Sequence, residues 1–286
     1  MRYTKDFKDY ELIDANNGER LERWGNIFLI RPDPQAMWNL PVNKKDWSKA
    51  DAVYHRSNSG GGAWEVLKKV PDIWTVDYKG LKFNLKPMGF KHTGLFPEQA
   101  VNWDLMSDLI KKSNRPIRVL NLFAYTGGAT LACLKAGAEV THVDASKGMV
   151  AWAKDNAKTS NLADRPVRWL VDDCIKFVQR EIRRGNKYDG IVMDPPSYGR
   201  GPNGEVWKLE NNLSELLEFV SKILCDEPLF FILNSYTAGL PHSVLNFMVK
   251  EIIGKGRKGS VSTEEIGLKV TNRDLILPAG NTTIWK

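Results

Sequence analysis

The segment VMDPPSYGRG, residues 192–201, combines side chains that suit chemistry on a flat, amine-bearing molecule. An apolar run ends at Asp194, and because the two prolines that follow cannot donate to a sheet ladder, the strand must stop there. The Asp194 carboxylate and the Pro195 carbonyl can accept hydrogen bonds from an exocyclic amine, and the prolines limit their movement. Tyr198 can stack on a planar ring. We therefore predict Asp194, Pro195 and Tyr198 as catalytic residues; the alternative is a plain turn with Tyr198 packed on the body.

Polar groups also follow earlier apolar segments of the chain. IRVLNLF runs straight into AYTGGAT, where Gly127 and Gly128 let the backbone approach a ligand closely. They do not form G-x-G-x-x-G, which disfavours a dinucleotide pyrophosphate. Asp144 ends the next segment and can bind ribose hydroxyls, while Asp172 and Asp173 end the third and can accept a bond from an adenine amino group. The alternative is that each acid only caps the helix after it.

The elements that must position these residues alternate between strand and helix from about residue 100. We predict strands at 115–123, 138–144, 167–173, 188–194 and 228–235, and two late β segments at about 260–270 and 274–285. We predict helices at 98–113, 129–137, 146–159, 174–184, 210–225 and 241–253. This alternation indicates a parallel sheet with helices on both faces and ligands at the carboxyl ends of its strands. Residues 10–90 instead show short apolar segments and turn signals such as NNG and YKG, typical of a small, mostly antiparallel β domain. We predict domains at 1–95 and 96–286.

Composition restricts the class of protein and its partners. The chain has 286 residues, 42% of them hydrophobic, and a formal net charge of +7, which permits a polyanionic partner such as RNA. It contains no apolar run long enough for a membrane span, so we expect no membrane partner. Its three cysteines are far apart and its four histidines lack metal-ligand spacing, so we expect a cytoplasmic protein without a metal. The oligomeric state is not predicted.

Several motifs together are specific enough to indicate a family. The segments VLNLFAYTGGATLACLKAGAEVTHVDAS, HTGLFPEQAVNW and DPPSYGRG resemble class I S-adenosylmethionine-dependent methyltransferases, and in particular the large-subunit ribosomal RNA cytosine methyltransferases and their relatives. The resemblance runs from about residue 50 to the C-terminus. It implies an α/β fold with a Rossmann-like, mostly parallel sheet, an antiparallel last strand and a small β-rich N-terminal domain. It also implies S-adenosyl-L-methionine as the cofactor.

The resemblance assigns roles by position in the motifs. It implies that Asp144 holds the ribose with Ala145 beside it, that Asp173 meets the adenine with Asp172 as second choice, and that Asp194 faces the transferring methyl group. The implied cofactor-binding residues are Phe96, Gln99, Phe123, Ala124, Thr126, Gly127, Gly128, Asp144, Ala145, Asp172, Asp173 and Asp194. Thr93 and Gly94 match the same motif as Phe96, whereas Ala100 and Trp103 stand where the family has arginines.

One departure from the family limits the reaction. Methylation of carbon 5 of cytosine needs a cysteine thiolate to attack the ring. The family carries cysteines after the fifth strand, where this chain has Ser235 and Thr237, and Cys133, Cys174 and Cys225 fall within or at the ends of helices. We therefore predict that the chain makes no 5-methylcytosine. Methylation of a base nitrogen in RNA, ribosomal RNA above all, is the favoured function. The alternatives are a methyltransferase for a small molecule or protein, and a non-catalytic cofactor- or RNA-binding relative.

Overall fold

The computed structural model of the protein describes residues 1–57, 61–200, 206–237 and 239–286. The glycine-rich segment SNSGGGA, residues 57–63, lies partly outside them, at residues 58–60. The strands are β1 (Tyr10–Asn16), β2 (Glu19–Trp24), β3 (Ile27–Pro32), β4 (Ala52–Arg56), β5 (Gly62–Val66), β6 (Trp74–Tyr78), β7 (Leu81–Leu85), β8 (Arg118–Leu122), β9 (Glu139–Asp144), β10 (Val167–Val171), β11 (Gly190–Met193), β12 (Tyr198–Arg200), β13 (Val206–Lys208), β14 (Phe230–Ser235), β15 (Val261–Val270) and β16 (Leu275–Trp285). The α-helices are α1 (Lys44–Trp47), α2 (Ala100–Lys112), α3 (Gly128–Ala136), α4 (Lys147–Thr159), α5 (Cys174–Arg184), α6 (Leu209–Ile223) and α7 (His242–Met248).

The chain forms two compact units. One comprises residues 1–101 with 267–279, and the other comprises residues 102–266 with 280–286. A short 3₁₀ helix, Pro97–Gln99, belongs to the first unit, and a π-helical turn, Val249–Ile253, extends α7 in the second. The division into domains at 1–95 and 96–286 stays a prediction.

The first unit is rich in β structure, as the sequence predicts. Its strands run in the order β1, β2, β3, β4, β5, and all neighbours are antiparallel except β3 and β4. The turns NNG and YKG each place two residues in the left-handed region, with φ of 51° and 77° for both Asn17–Gly18 and Lys79–Gly80. Such two-residue turns match the twist of the strands they join, and they close the β1–β2 and β6–β7 hairpins.

The second unit is built on a sheet of order β10, β9, β8, β11, β14, all parallel. The end of β16 then pairs antiparallel with β14, Ser235 lying opposite Asn281. The order runs outward in both directions from β8, so the carboxyl ends of these strands form a crevice where ligands bind in such folds. This confirms the predicted α/β fold with a mostly parallel sheet and an antiparallel last strand.

Helices cover both faces of this sheet. Val143 of β9 lies in a core cluster with residues of α5 and α6, such as Phe177 and Leu216. One residue earlier, His142 contacts Thr130 of α3. Because successive strand residues point to opposite faces, α3 and the pair α5 and α6 lie on opposite sides of the sheet. The predicted elements are thus present, most with shifts of one to three residues at their ends.

A short hairpin in the second unit was not predicted. The residues after Asp194 were expected to form a loop, but Tyr198–Arg200 and Val206–Lys208 pair as a short antiparallel hairpin. The tip of this hairpin, residues 201–205, lies outside the described residues.

Candidate active site

The turn after β8 has an unusual backbone that fits it to surround a ligand. Phe123 and Tyr125 have φ of 56° and 51°, and Gly127 has φ of 89°. Left-handed conformations are costly for residues with a Cβ and occur mainly where a site demands them. The turn closes on itself through a bond from the Gly127 amide to the Ala124 carbonyl, at 3.0 Å. Asn156 of α4 donates a hydrogen bond to the carbonyl of Thr126 at 2.9 Å, and this bond fixes the turn to α4.

Two positions of this turn require glycine, each for a different physical reason. Gly127 needs its positive φ and precedes α3 as its N-cap. At Gly128 a Cβ atom would lie 2.6 Å from Cζ2 of Trp103, so no side chain fits there. Trp103 itself is 3% exposed. A tryptophan at the family's arginine position therefore packs α2 against the start of α3.

Asp144, at the end of β9, is held by this turn. Its Oδ2 accepts a hydrogen bond from the Tyr125 amide and its Oδ1 accepts one from the Ser146 amide, both at 2.8 Å. Each carboxylate oxygen has a further lone pair, so Asp144 can still accept two hydrogen bonds from a diol. Asp144 is half-buried, and Ala145 beside it is exposed. The remaining turn residues expected at the cofactor, Ala124 and Thr126, are buried.

The carboxylates of Asp172 and Asp173 make different contacts. Asp173 is exposed and caps α5, since its Oδ1 accepts from the Lys176 amide at 2.8 Å. Asp172 is half-buried and forms an ion pair with Arg180. The Asp172 amide donates to the Asp144 carbonyl at 3.0 Å. Asp172 therefore lies directly beside Asp144, the residue predicted to bind the ribose. Either carboxylate retains acceptor capacity, so the choice between them for adenine stays open.

The Asp194–Pro195–Pro196 segment follows β11 at the same edge of the sheet. Asp194 is half-buried, Pro195 is buried and Tyr198 is 50% exposed. Trp207, on the returning strand of the hairpin, donates its Nε1 hydrogen to the Pro196 carbonyl at 2.6 Å. Its ring centroid lies 6.1 Å from that of Phe123. Trp207 thus connects the proline segment to the glycine turn.

Half of the Tyr198 surface is exposed, so one side of this residue is available to a ligand. Tyr198 pairs across the hairpin with Lys208. An exposed ring beside an exposed lysine suits stacking on a base next to a phosphate.

Two residues predicted at the cofactor lie in the first unit. Phe96 precedes the 3₁₀ helix with its ring centroid 5.1 Å from that of His92, and Gln99 ends that helix with 8% of its surface exposed. Thr93 is fully buried. Their roles toward the cofactor stay predictions.

The cysteines are placed as inert thiols. Burial raises the pKa of the Cys133 thiol to about 12 and raises the pKa of Cys174 well above its ordinary value. Burial, with the nearby Asp189 carboxylate, also raises the pKa of Cys225. Cys225 lies two residues beyond the end of α6, not within it as predicted. A thiol needs its anion to act as a nucleophile, so none of the three is prepared for attack on a base.

Several residues of this site were not predicted. Trp207, Tyr125 and Asn156 act through one backbone group each, and such contacts leave no spacing signal in a sequence. The one available hint was the position of Trp207, a lone aromatic residue shortly after the proline segment.

The described part of the chain contains no cluster of three or more His, Cys, Asp or Glu side chains suited to a metal ion. Among the same residues, no helix is long and apolar enough to span a bilayer.

Comparison with known proteins bears directly on this geometry. Residues 47–231 match the family of S-adenosylmethionine-dependent methyltransferases. Two curated relatives, each named ribosomal RNA large subunit methyltransferase K/L, come from Shewanella frigidimarina and Pseudoalteromonas translucida. They are 33% identical over 162 residues and 32% identical over 171 residues, which is 56% and 59% of this chain. The aligned parts are only 22% and 23% of those relatives, so the chain spans about a fifth of their length.

A solved structure matches almost the whole chain. The SAM-dependent methyltransferase from Agrobacterium tumefaciens is 35% identical, with a TM-score of 0.92, over 99% of this chain and 92% of that one. This match is joined by the family match, which covers more than half of the sequence. The chain belongs to the S-adenosylmethionine-dependent methyltransferase family, and S-adenosyl-L-methionine is its cofactor.

Proposed function

We propose that the protein transfers a methyl group from S-adenosylmethionine to a nitrogen atom of an RNA base, with ribosomal RNA as the favoured acceptor. The observation that carries this proposal is the half-buried Asp194, followed by a rigid Pro195 and an exposed Tyr198 at the carboxyl edge of the sheet. Similarity to relatives named as ribosomal RNA methyltransferases supports the choice of RNA. The net charge of +7 favours a polyanion as well.

In this proposal the glycine turn and Asp144 bind the cofactor. The turn residues Phe123 to Gly128 line its methionine end, and the two remaining lone pairs of Asp144 accept the ribose hydroxyls. Asp172 or Asp173 accepts from the adenine amino group. Phe96 and Gln99 complete the predicted set. When bound, the cofactor supplies a methyl group on a positively charged sulfur, ready for in-line displacement.

The residues around Asp194 orient the acceptor. Strands β9 and β11 flank β8, so the backbones of Asp144 and Asp194 lie about 10 Å apart, two strand spacings. Asp194 and the Pro195 carbonyl accept hydrogen bonds from the acceptor amine, which aims the nitrogen lone pair at the methyl group. Tyr198 stacks on a base that has been turned out of its helix, as base-modifying enzymes require.

The cysteines argue against reaction at carbon. Burial raises the pKa of all three thiols, and Ser235 and Thr237 stand at the family's cysteine positions. An amine nitrogen has its own lone pair and needs no covalent activation by a cysteine. Methylation of nitrogen can therefore proceed without the nucleophile that methylation of carbon 5 requires. A ribosomal RNA acceptor would also place the protein in the cytoplasm.

The direct test offers labelled S-adenosylmethionine and four separate acceptor pools: ribosomal RNA, transfer RNA, protein and a small-molecule extract. Ribosomal RNA transcribed in vitro serves best, because its sites are unmodified. We expect label in the RNA, and its loss with Asp194→Asn. Label confined to protein or small molecules would overturn the RNA proposal and favour the alternative acceptors.

A further inference from the structure

A pair of hydroxyl groups lies beside the proline segment and has no part in the function described so far. Ser197 follows Asp194 by three residues, and Thr237 follows the last residue of β14 by two. Because β11 and β14 are parallel neighbours, with Met193 opposite Leu233, their ends meet at the same edge of the sheet. There the Thr237 hydroxyl donates to Oγ of Ser197 at 2.7 Å.

The backbones on both sides of this bond are fixed by other contacts. The Ser197 carbonyl accepts from the Leu209 amide at 3.1 Å, at the start of α6. The Thr237 amide donates to Oγ of Ser235 at 3.4 Å. The Pro196 carbonyl is held by Trp207. Each of the two segments thus has backbone contacts besides the hydroxyl pair.

The direction of the bond determines what the pair presents outward. Thr237 uses its hydrogen toward Ser197, so the Ser197 hydrogen is left to donate to a third group. Thr237 Oγ1 keeps lone pairs that can accept. A donor and an acceptor thus stand side by side, about 2.7 Å apart, at a position where Ser197 is exposed and Thr237 is half-buried.

Nucleobases carry the complementary arrangement on their hydrogen-bonding edges. Guanine, adenine and cytosine each place an N–H donor next to an oxygen or nitrogen acceptor, and proteins read single-stranded RNA through these edges. We propose that the Ser197–Thr237 pair is the subsite that reads such an edge of the acceptor base while Asp194 and Pro195 hold the reacting amine. This inference rests on the proposed RNA function and makes both residues specificity-determining, not catalytic.

The test uses the full chain and unmodified large-subunit ribosomal RNA transcribed in vitro. Thr237→Val keeps the side-chain shape and removes the hydroxyl, and Ser197→Ala removes the other partner. We expect each variant to lower kcat/KM for RNA about tenfold, the usual effect of one lost hydrogen bond, with S-adenosylmethionine affinity within twofold of wild type. Base discrimination should weaken too, so that nucleoside analysis finds methyl groups on additional bases.

Two further variants separate recognition from a structural role. Thr237→Ser restores a hydroxyl and should recover most of the activity. Ser221→Ala is the matched control, because that hydroxyl bonds only the Glu218 carbonyl of its own helix, and it should behave as wild type. The proposal is overturned if Thr237→Val and Ser197→Ala keep kcat/KM within twofold, or if they lose cofactor affinity in step with activity and keep a single product. Absence of RNA methylation by the wild-type protein would instead reject the proposed function itself.

Discussion

Asp144 illustrates how a single side chain can serve both the fold and the site. Its two oxygens each accept one backbone N–H, from Tyr125 and Ser146, and these bonds fix both the carboxylate and the strained turn around it. The outward lone pairs remain for a ligand. The same residue therefore fixes the geometry of the turn and, in our proposal, accepts hydrogen bonds from the ribose.

The substitution Asp144→Asn tests this double role. The amide turns one acceptor into a donor that faces either the Tyr125 or the Ser146 N–H, so one bond is replaced by a repulsion. Hydrogen bonds to a charged group contribute about 1.5–3 kcal/mol each, so the Kd for S-adenosylmethionine should rise about 10- to 100-fold in calorimetric titration. Asp155→Asn, an exposed change on α4, is the control. Unchanged affinity for Asp144→Asn would mean that the cofactor binds elsewhere.

Trp207 offers a second test at this scale. Trp207→Phe keeps an aromatic ring near Phe123 and removes the N–H that holds the Pro196 carbonyl. Because the proline segment is then less well fixed, we expect kcat for RNA methylation to fall to about a tenth of the wild-type value, while cofactor affinity changes little. Trp38→Phe removes an equivalent bond to the Ala15 carbonyl in the first unit and serves as the comparison. A drop in cofactor affinity equal to the drop in kcat would contradict the assigned role.

At the scale of elements, a buried polar chain holds β8, α3 and β9 together. Asn121 donates to the Thr130 hydroxyl at 2.9 Å, and that hydroxyl lies 2.9 Å from Nδ1 of His142. Burial, aided by repulsion from Lys154, lowers the pKa of His142 to about 3. The elements that present the glycine turn and Asp144 are thus joined by a histidine that must stay neutral.

This requirement predicts acid sensitivity with a definite sign. The unfolded chain protonates His142 below about pH 6.5, while the folded chain resists until about pH 3, so the free energy of unfolding falls as pH drops through this window. At pH 5, His142 lowers the free energy of unfolding by about 2 kcal/mol relative to its value at neutral pH. In urea titrations between pH 7.5 and 5, His142→Gln should be less stable at neutral pH and show a shallower decline. An identical decline in both proteins would remove His142 as a cause.

The same elements show what a sequence can and cannot predict. The alternation of short apolar segments with helical patterns located β8 to β11 and their helices. Asp144 ends β9 and Asp194 follows β11, so these polar residues mark the strand ends. The β12–β13 hairpin was missed because its strands have three residues each and are held by the proline segment and α6 rather than by a pattern of their own. The Trp207 bond was likewise beyond prediction, since it depends on which backbone group lies within reach. The Asp173 cap, by contrast, is the helix-capping alternative that the sequence offered for each acid.

On the scale of the whole molecule, charge is the property that bears on the partner. The chain carries 41 Lys and Arg residues against 34 Asp and Glu residues. If RNA is the acceptor, part of this excess neutralises phosphates and releases their counterions on binding. The affinity for ribosomal RNA should then fall steeply, and linearly on a log–log scale, as salt rises from about 50 to 200 mM. Binding that is weak and insensitive to salt in a filter or anisotropy assay would favour a small-molecule acceptor.

Nucleoside mass spectrometry is the sharpest test of the proposal that this site methylates nitrogen in an RNA base. Purified protein, S-adenosylmethionine and unmodified large-subunit ribosomal RNA would be incubated, and the RNA digested and analysed. We expect one base to carry a new methyl group on nitrogen, and we expect this product to be absent when Asp194→Asn replaces the wild type. Detection of 5-methylcytosine, or of no methylated nucleoside at all, would contradict it.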